Sequence, residues 1–119
     1  MLRVGIVGSG FMGVTHGDAY TKIADVQIAG FVGRSEANRK RLAEKHKTKD
    51  YPTLEAMLAA EQLDAVDICT PTPLNVEMVK VAAQAGKPIL LEKPIARDLK
   101  EADEIIRTAK KRKALLMVA

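Results

Sequence analysis

Apolar and polar positions alternate along the chain in a way that predicts strands followed by helices. Unbroken apolar runs are typical of strands that are covered on both faces of a parallel sheet. Such runs predict five strands, at residues 2–8, 26–33, 64–70, 88–94 and 114–119. A further strand around Tyr51 is expected to be very short, because the segment KDYPT leaves it little room.

The segments between the strands show helical spacing. Apolar residues three and four positions apart predict a first helix from Phe11 to about Ile23. Ser35 begins a polar helix that reaches about His46. Thr53 is the predicted N-cap of the next helix, since its hydroxyl can accept from a backbone N–H of the first turn.

Two more helices have clear boundaries in the sequence. Thr72 is expected to cap a helix with Pro73 at its first position, and Gly86 is expected to end it. One face of this helix is predicted to consist of Leu74, Met78, Val81, Ala82 and Ala85. The segment DLKE at residues 98–101 has the spacing of a capping box and predicts the start of the last helix.

Six strands with interleaved helices predict an α/β fold with a doubly wound parallel sheet, the Rossmann arrangement. The simplest strand order is 3-2-1-4-5-6 with helices on both faces. Ligands of such sheets bind at the carboxyl ends of the strands, where the strand order reverses. A crevice is therefore expected near residues 8–13, Thr70 and Glu92.

The segment GSGFMG at residues 8–13 follows a predicted strand and opens a predicted helix, as a dinucleotide-binding loop does. Gly8 would allow the tight turn, Gly10 would let the backbone approach a pyrophosphate, and Gly13 would let helix and strand pack closely. The residues between these glycines, which belong to the same predicted cofactor site, are Ser9, Phe11 and Met12. A glycine-rich turn without a ligand is the alternative.

The end of the second strand indicates which dinucleotide is bound. An acid expected there for the ribose hydroxyls of NAD is replaced by Gly33, followed by Arg34 and Ser35. A guanidinium and a hydroxyl at a helix N-terminus suit the 2′-phosphate of NADP, with Arg39 one turn further on as support. NADP is therefore favoured. NAD stays possible, with Arg34 stacking on adenine or Glu36 taking the role of the acid.

Composition changes this picture little. A chain of 119 residues with 47% hydrophobic and 29% charged residues is expected to form one globular domain. The net charge of +4 would favour an anionic ligand without identifying it. Cys69 has no partner for a disulfide, the first strand begins too close to Met1 for a signal peptide, and no apolar stretch approaches the ~18 residues of a membrane span. We expect a cytoplasmic protein.

Three motifs in this order carry a resemblance to a known family: GSGFMGVTH at 8–16, CTPTPLN at 69–75 and LLEKPIA at 90–96. The sequence closely resembles the N-terminal NAD(P)-binding domain of the Gfo/Idh/MocA oxidoreductases, which include glucose-fructose oxidoreductase and inositol 2-dehydrogenase. The resemblance covers essentially all of residues 1–119, which would be the dinucleotide-binding domain. The glycine loop occurs in many families, whereas its combination with a later EKP is specific.

The resemblance implies further cofactor-site residues in the loops after the fourth and fifth strands. These are Thr70, Pro71, Thr72, Glu92, Lys93 and Pro94. The lysine of the family's EKP lies near the nicotinamide and the substrate, which makes Lys93 the candidate catalytic residue. An ammonium there can bond the reacting oxygen, stabilise an alkoxide and take part in proton transfer. A solvated loop lysine is the alternative.

Two departures from the family pattern bear on function. Asn75 stands where members often carry a histidine, so that a contact with the cofactor is retained without a titrating group. The family's α+β domain, which supplies the substrate pocket, the oligomerisation sheet and further catalytic residues, is absent from this sequence. We therefore expect the chain to bind a dinucleotide without turning over a sugar or polyol, and the full-length protein to be a homo-oligomer.

Several residues have simpler interpretations. His16 is expected on the inner face of the first helix, packed and bonded to a backbone group, and His46 is expected to be exposed. Cys69, with no second cysteine and no metal-ligand pattern nearby, predicts neither a catalytic thiol nor a metal site. The run KKRK at 110–113 suits a helix C-terminus and lacks the aromatic residues of a nucleic-acid surface.

The favoured function is the NADP(H)- or NAD-binding part of a sugar or polyol dehydrogenase. A dinucleotide-sensing regulatory or protein-interaction module without hydride transfer is the alternative, and the EKP motif favours the enzyme. A methyltransferase is less favoured, because its glycine loop would require an acid after the second strand, where Gly33 and Arg34 stand.

Overall fold

The computed structural model describes all 119 residues, and its centre is a six-stranded sheet in which every pair of neighbours is parallel. The strand order β3-β2-β1-β4-β5-β6 confirms the predicted doubly wound topology. The elements are β1 (Leu2–Val7), α1 (Phe11–Tyr20), β2 (Val26–Val32), α2 (Glu36–Lys45), β3 (Lys49–Tyr51), α3 (Leu54–Ala60), β4 (Ala65–Ile68), α4 (Asn75–Gln84), β5 (Ile89–Leu91), α5 (Leu99–Lys111) and β6 (Leu116–Val118). None of the helices combines the length and the apolar composition that crossing a membrane requires.

The two faces of the sheet are covered by different helices, which explains the unbroken apolar strands. On one face, Ile6, Ile28 and Phe31 pack with Leu42 of α2, and Val14 of α1 lies against them. On the other face, a larger core joins β1, β2, β4 and β5 to α3, α4 and α5. Since consecutive residues of a strand point to opposite faces, both must be apolar when both faces are buried.

Three helices begin at side-chain caps. Thr53 accepts a hydrogen bond from the N–H of Ala56, and Ser35 accepts one from a backbone N–H of α2. Asp98 accepts from the N–H of Glu101, as the DLKE segment predicts. The Glu101 carboxylate bonds the Arg97 guanidinium, so the reciprocal half of the capping box is not formed.

The structure corrects two helix predictions. α1 ends at Tyr20 rather than near Ile23, and the chain then turns through Asp25, whose φ is 65°. Thr72 does not cap α4, because residues 72–74 form a short 3₁₀ turn and the α-helix starts at Asn75. Each difference concerns where a turn begins, which local sequence determines weakly.

The buried face of α4 also differs from the predicted one. Its fully buried positions are Asn75, Val79, Ala82 and Ala83. Leu74 and Met78 are half-buried and line a crevice, while Ala85 is exposed. The face of α4 that packs against the sheet is rotated toward the small residues of this helix. This orientation allows α5 to pack against α4 as well.

Candidate functional site

A crevice of about 800 Å³ opens at the carboxyl edge of the sheet, where the strand order reverses between β1 and β4. Most of the predicted cofactor residues line it, namely Gly8, Ser9, Gly10, Phe11, Met12, Arg34, Ser35, Thr70, Pro71, Thr72, Glu92 and Lys93. Four predicted residues lie outside the lining: Gly13, Arg39, Asn75 and Pro94. Residues 52–55, 77 and 78 also line it, although no motif marks them in the sequence.

The glycine turn between β1 and α1 has three different steric demands. Gly8 adopts a φ of 123°, and a Cβ there would lie 2.6 Å from the carbonyl oxygen of Cys69. A Cβ on Gly13 would collide with the carbonyl oxygen of Gly8, which explains why this glycine lies outside the crevice yet is required by the packing. A Cβ on Gly10 would meet nothing within 4 Å, so the space beside this glycine is open.

The N-terminus of α1 supplies donors for an anion. No side chain caps this end of the helix, whose N-cap is Gly10. The free backbone N–H groups of a first helical turn and the positive end of the helix dipole attract phosphate. The absence of a cap, together with the open space beside Gly10, fits the pyrophosphate of a dinucleotide.

A second observation points to a bound group. The Oγ1 of Thr70 is buried and has no hydrogen-bond partner in the chain, and Thr70 lines the crevice. A buried hydroxyl without a partner is costly, so a ligand that bonds it is favoured. The residues present therefore fit a dinucleotide in both steric and hydrogen-bonding terms.

At the end of β2 the structure separates the two arginines. Arg34 is exposed and lines the crevice. Arg39 does not line it, because its Nε donates to Asp50 Oδ2 at 2.8 Å and its Nη1 donates to the Gly33 carbonyl at 3.2 Å. The guanidinium expected to support Arg34 is therefore engaged behind the crevice wall.

The acid considered as an alternative ribose ligand is also engaged. Glu36 accepts from Lys40 Nζ at 2.6 Å, and this bond lowers the pKa of the Glu36 carboxyl. Glu36 is absent from the crevice lining. The hydroxyl of Ser35 accepts from the Asn38 N–H at 3.2 Å and lies at the crevice wall.

Glu92 and Lys93 follow β5 and face the same crevice as the glycine turn. The N–H of Glu92 donates to Ile68 O at 2.9 Å, which ties this segment to the end of β4. Lys93 is exposed, forms no ion pair within the chain, and is followed by a cis peptide bond to Pro94. The lysine ammonium is therefore available to a bound molecule.

Asn75 lies behind this segment rather than in the crevice. It is 2% exposed, and its Nδ2 donates to the carbonyl oxygens of Pro94 at 3.3 Å and Ile95 at 3.1 Å. In the structure this side chain holds the backbone after Lys93, and its contact with a cofactor stays a prediction. Its Oδ1 is buried and has no hydrogen-bond partner in the chain, and Asn75 is not among the residues that line the crevice.

A buried polar network below the crevice was not predicted from the sequence. Asp67 is fully buried in β4, and its Oδ2 lies 2.7 Å from His16 Nδ1 and 2.8 Å from the Tyr20 hydroxyl, which donates to it. The Nε2 of His16 lies 3.9 Å from Glu92 Oε2. The expected inner-face position of His16 is correct, but its partner is a carboxylate rather than a backbone group. The signal in the sequence was an aspartate inside an apolar strand, which requires a partner.

Cys69 belongs to the same network. Its Sγ lies 3.3 Å from both His16 Nδ1 and Asp67 Oδ1, so the structure brings together ligand-type groups that no sequence pattern indicated. Burial and the charge of Asp67 raise the pKa of the Cys69 thiol well above its ordinary value. A thiol that stays protonated is a poor nucleophile.

The prediction that His46 is exposed is wrong. Its side chain is 4% exposed and its ring centroid lies 5.4 Å from that of Phe31. Burial lowers the pKa of His46. The charged residues around it in α2 suggested a solvated end, but the ring fits beneath Gly17, where a Cβ would lie 3.1 Å from its Nε2.

Comparison with known proteins relates this crevice to a family of oxidoreductases. The model of the Gfo/Idh/MocA oxidoreductase family, NAD-binding Rossmann fold, matches residues 2–119. The chain is 34% identical over 117 residues to a UDP-N-acetylglucosamine 3-dehydrogenase of Acidithiobacillus ferrooxidans. The matched region covers 98% of this chain and 36% of that protein. It is 32% identical to the scyllo-inositol 2-dehydrogenase (NADP⁺) IolU of Bacillus subtilis, covering 100% of this chain and 37% of that protein.

Solved structures agree with the sequence relatives. The WlbA dehydrogenase of Chromobacterium violaceum, in complex with NADH and UDP-GlcNAcA, superposes with a TM-score of 0.94 at 28% identity, over 99% of this chain and 34% of that one. The present chain thus spans about a third of the length of these relatives. By the family match and by its fold, the chain belongs to the Gfo/Idh/MocA oxidoreductases and corresponds to their NAD-binding Rossmann domain.

Proposed function

We propose that residues 1–119 are the cofactor-binding domain of a dehydrogenase that acts on a sugar or polyol, with NADP(H) as the preferred cofactor. The observation that carries this proposal is the shared crevice of the glycine turn and the Glu92-Lys93 segment. One loop can bind a pyrophosphate, and the other presents an ammonium to the same space.

The chain's own groups would hold the cofactor at two places near the glycine turn and the end of β4. The N-terminus of α1 would bind the pyrophosphate, as Gly10 leaves room for it. The buried hydroxyl of Thr70 would gain the partner that it lacks within the chain. When bound, the nicotinamide would accept a hydride from the substrate carbon or donate one to it.

The preference for NADP rests on the end of β2. Arg34 is exposed at the crevice and no carboxylate of residues 33–35 faces it. A 2′-phosphate gains a charge-assisted bond from a guanidinium, whereas residues 33–35 offer an unphosphorylated ribose no acid that would accept from its hydroxyls. Known relatives use either cofactor: IolU is named for NADP⁺, and WlbA was solved with NADH.

Lys93 is the proposed catalytic residue. Its Nζ would donate to the oxygen of the reacting carbinol or carbonyl and stabilise the negative charge that develops there. Asn75 supports this role indirectly, since it holds the carbonyl groups of Pro94 and Ile95 just after the lysine.

The substrate class is inferred from relatives that are named for UDP-N-acetylglucosamine and scyllo-inositol. About two thirds of those proteins have no counterpart in this chain, so we propose that a second domain supplies the substrate pocket and that residues 1–119 alone bind the cofactor without turnover. We propose a homo-oligomeric, cytoplasmic full-length protein that binds neither nucleic acid nor membrane.

Titration of the chain with NADPH and NADH, followed by the fluorescence of the reduced nicotinamide, tests the cofactor proposal. We expect NADPH to bind at least about tenfold more tightly than NADH, because one charge-assisted hydrogen bond contributes about that factor in affinity. Equal or tighter binding of NADH would contradict the preference, and binding of neither would contradict the cofactor site. Steady-state oxidation of myo-inositol by residues 1–119 alone would show that no second domain is needed.

A further inference from the structure

The space beside Gly33, where β2 ends at the crevice, is filled by other residues. A Cβ built on Gly33 would lie 2.8 Å from Ser9 Cβ, would collide with Ser9 Oγ, and would lie 3.3 Å from Arg39 Cβ. Real Cβ atoms do not approach a neighbouring carbon as closely as 2.8 Å. A side chain at position 33 therefore requires Ser9 or the backbone to move.

Ser9 cannot move away easily, because the ends of β1 and β2 are tied together. The N–H of Gly8 donates to the carbonyl oxygen of Val32 at 2.8 Å, one residue before Ser9 and one residue before Gly33. Gly8 also packs against the carbonyl of Cys69. The hydrogen bond from Gly8 to Val32 and the packing of Gly8 against Cys69 therefore fix the distance between the backbones of Ser9 and Gly33.

The opposite side of Gly33 is closed as well. Arg39 is 14% exposed at its side chain, and its two hydrogen bonds go to the Asp50 carboxylate and the Gly33 carbonyl. The Arg39–Asp50 ion pair fixes the arginine stem whose Cβ faces Gly33. Relaxation toward Arg39 would break these bonds.

We propose that Ser9 is a cofactor-specificity residue: by filling the space beside Gly33 it excludes a carboxylate from the position where it would bind the ribose hydroxyls of NAD. The inference rests on the proposed function and deepens it. Specificity then depends on a pair of positions, 9 and 33, whose side chains compete for one volume. Arg34 binds the 2′-phosphate of NADP, and Ser9 excludes the carboxylate at position 33 that would bind the ribose of NAD.

A double-mutant cycle with Ser9→Gly and Gly33→Asp tests this competition. The variant Ser9→Gly opens the volume without adding a charge, and its dissociation constants for NADPH and NADH complete the cycle as the reference for the double variant. Gly33→Asp alone should weaken NADPH and NADH by about tenfold or more, because the turn is displaced. The double variant should bind NADH about tenfold more tightly than Gly33→Asp does, and should prefer it to NADPH.

If Gly33→Asp alone gains as much NADH affinity as the double variant, Ser9 does not exclude the carboxylate and the inference is wrong. Failure of the wild type to bind either dinucleotide would instead contradict the proposed function. The steric part is measured independently of cofactor by urea unfolding of Gly33→Ala with and without Ser9→Gly. We expect Gly33→Ala to lower the midpoint by about 1 M, and Ser9→Gly to restore most of that loss. Equal losses in both backgrounds would overturn the inference.

Discussion

The Nδ1 of His16 lies 2.7 Å from the Oδ2 of Asp67, and this contact joins α1 to the buried middle of β4. Because a carboxylate oxygen accepts, Nδ1 carries the proton and Nε2 is the nitrogen that faces Glu92, 3.9 Å away. The Tyr20 hydroxyl donates to the same Asp67 oxygen. A fully buried side chain of the sheet is thereby connected to the loop that carries Lys93.

Removal of His16 should destabilise the fold through Asp67. His16→Ala leaves a buried carboxylate with one donor fewer, and we expect the free energy of unfolding to fall by about 2–4 kcal/mol. His16→Asn is the matched control, since its amide can still donate near the position of Nδ1 and should recover at least about 1 kcal/mol. Urea unfolding followed by circular dichroism measures both. Equal losses for the two variants would show that the hydrogen bond to Asp67 does not stabilise the fold.

Alkaline titration should reveal the two tyrosines directly, since the chain has no tryptophan and no third tyrosine. Burial and the hydrogen bond to Glu61 raise the pKa of Tyr51 to about 12, and burial next to Asp67 raises the pKa of Tyr20 still further above its ordinary value of 10.0. We expect the native protein to show little tyrosinate absorbance at 295 nm at pH 10–11, where the urea-unfolded chain is half ionised or more.

The same shifts predict a loss of stability at high pH. The native tyrosines hold their protons above pH 10.0, at which unfolded ones release them, so their contribution is complete below that pH and declines as the pH rises toward 12. Tyr51→Phe should flatten the fall of the unfolding free energy in this window. A native half-titration of both tyrosines near pH 10 would contradict the prediction.

Two glycine substitutions should separate binding from folding. Gly10→Ala places a methyl group in open space, at a φ of −85° that alanine adopts freely, so stability should change by less than about 0.5 kcal/mol while NADPH affinity falls by tenfold or more. Gly13→Ala drives a methyl group into the Gly8 carbonyl and should cost about 1–3 kcal/mol of unfolding free energy. Thermal unfolding and cofactor titration of each variant test this contrast between binding and folding. If Gly10→Ala binds NADPH as tightly as the wild type does, the prediction is wrong.

Arg34→Gln should weaken NADPH selectively. Loss of the guanidinium removes one charge-assisted bond to the 2′-phosphate, so the dissociation constant of NADPH should rise about tenfold while that of NADH changes little. Arg41→Gln is a suitable control, because Arg41 is an exposed arginine of α2 outside the crevice lining. The effect should shrink as salt is raised from 50 to 500 mM. Equal losses for both cofactors would mean that Arg34 contacts a part that they share.

Lys93→Ala tests catalysis in the full-length protein. Removal of a group that stabilises charge and exchanges a proton should lower kcat/KM by about 10²–10⁴-fold, while the dissociation constant of NADPH for residues 1–119 stays within about threefold. Lys87→Ala, on the turn before β5, provides a control lysine outside the crevice. Unchanged turnover in Lys93→Ala, with loss of binding to a partner protein, would favour a sensing module instead of an enzyme.

Much of the fold could be predicted because strands that are buried on both faces appear in the sequence as unbroken apolar runs. The runs around Ile6, Ile28 and Ile68 required no knowledge of tertiary contacts. The orientation of α4 could not be obtained this way, since two of its faces are apolar and the choice between Val79 and Val81 depends on where α5 packs.

The site was predictable where it depends on backbone shape and less so where it depends on distant partners. Gly8 and Gly10 lie in a local turn, so their spacing was informative. The partner of Arg39 is Asp50, on a different element, and the partner of Asp67 is His16, 51 positions away. A single sequence contains no signal for such pairs beyond the general requirement that buried charge be compensated.

The position of β1 at the centre of the sheet has a consequence for how the protein forms. β1 is synthesised first, and Val4 pairs with Ala65 on β4, with about half of the chain between them. Closing so long a loop is entropically costly, and parallel pairs of high sequence separation slow folding. During translation, β1 and β2 can associate early, but the second edge of β1 stays open until β4 leaves the ribosome. The parts of the crevice are therefore completed at different times. The glycine turn beside β2 can form first, and the loops after β4 and β5 join it only after the second half of the chain has been made.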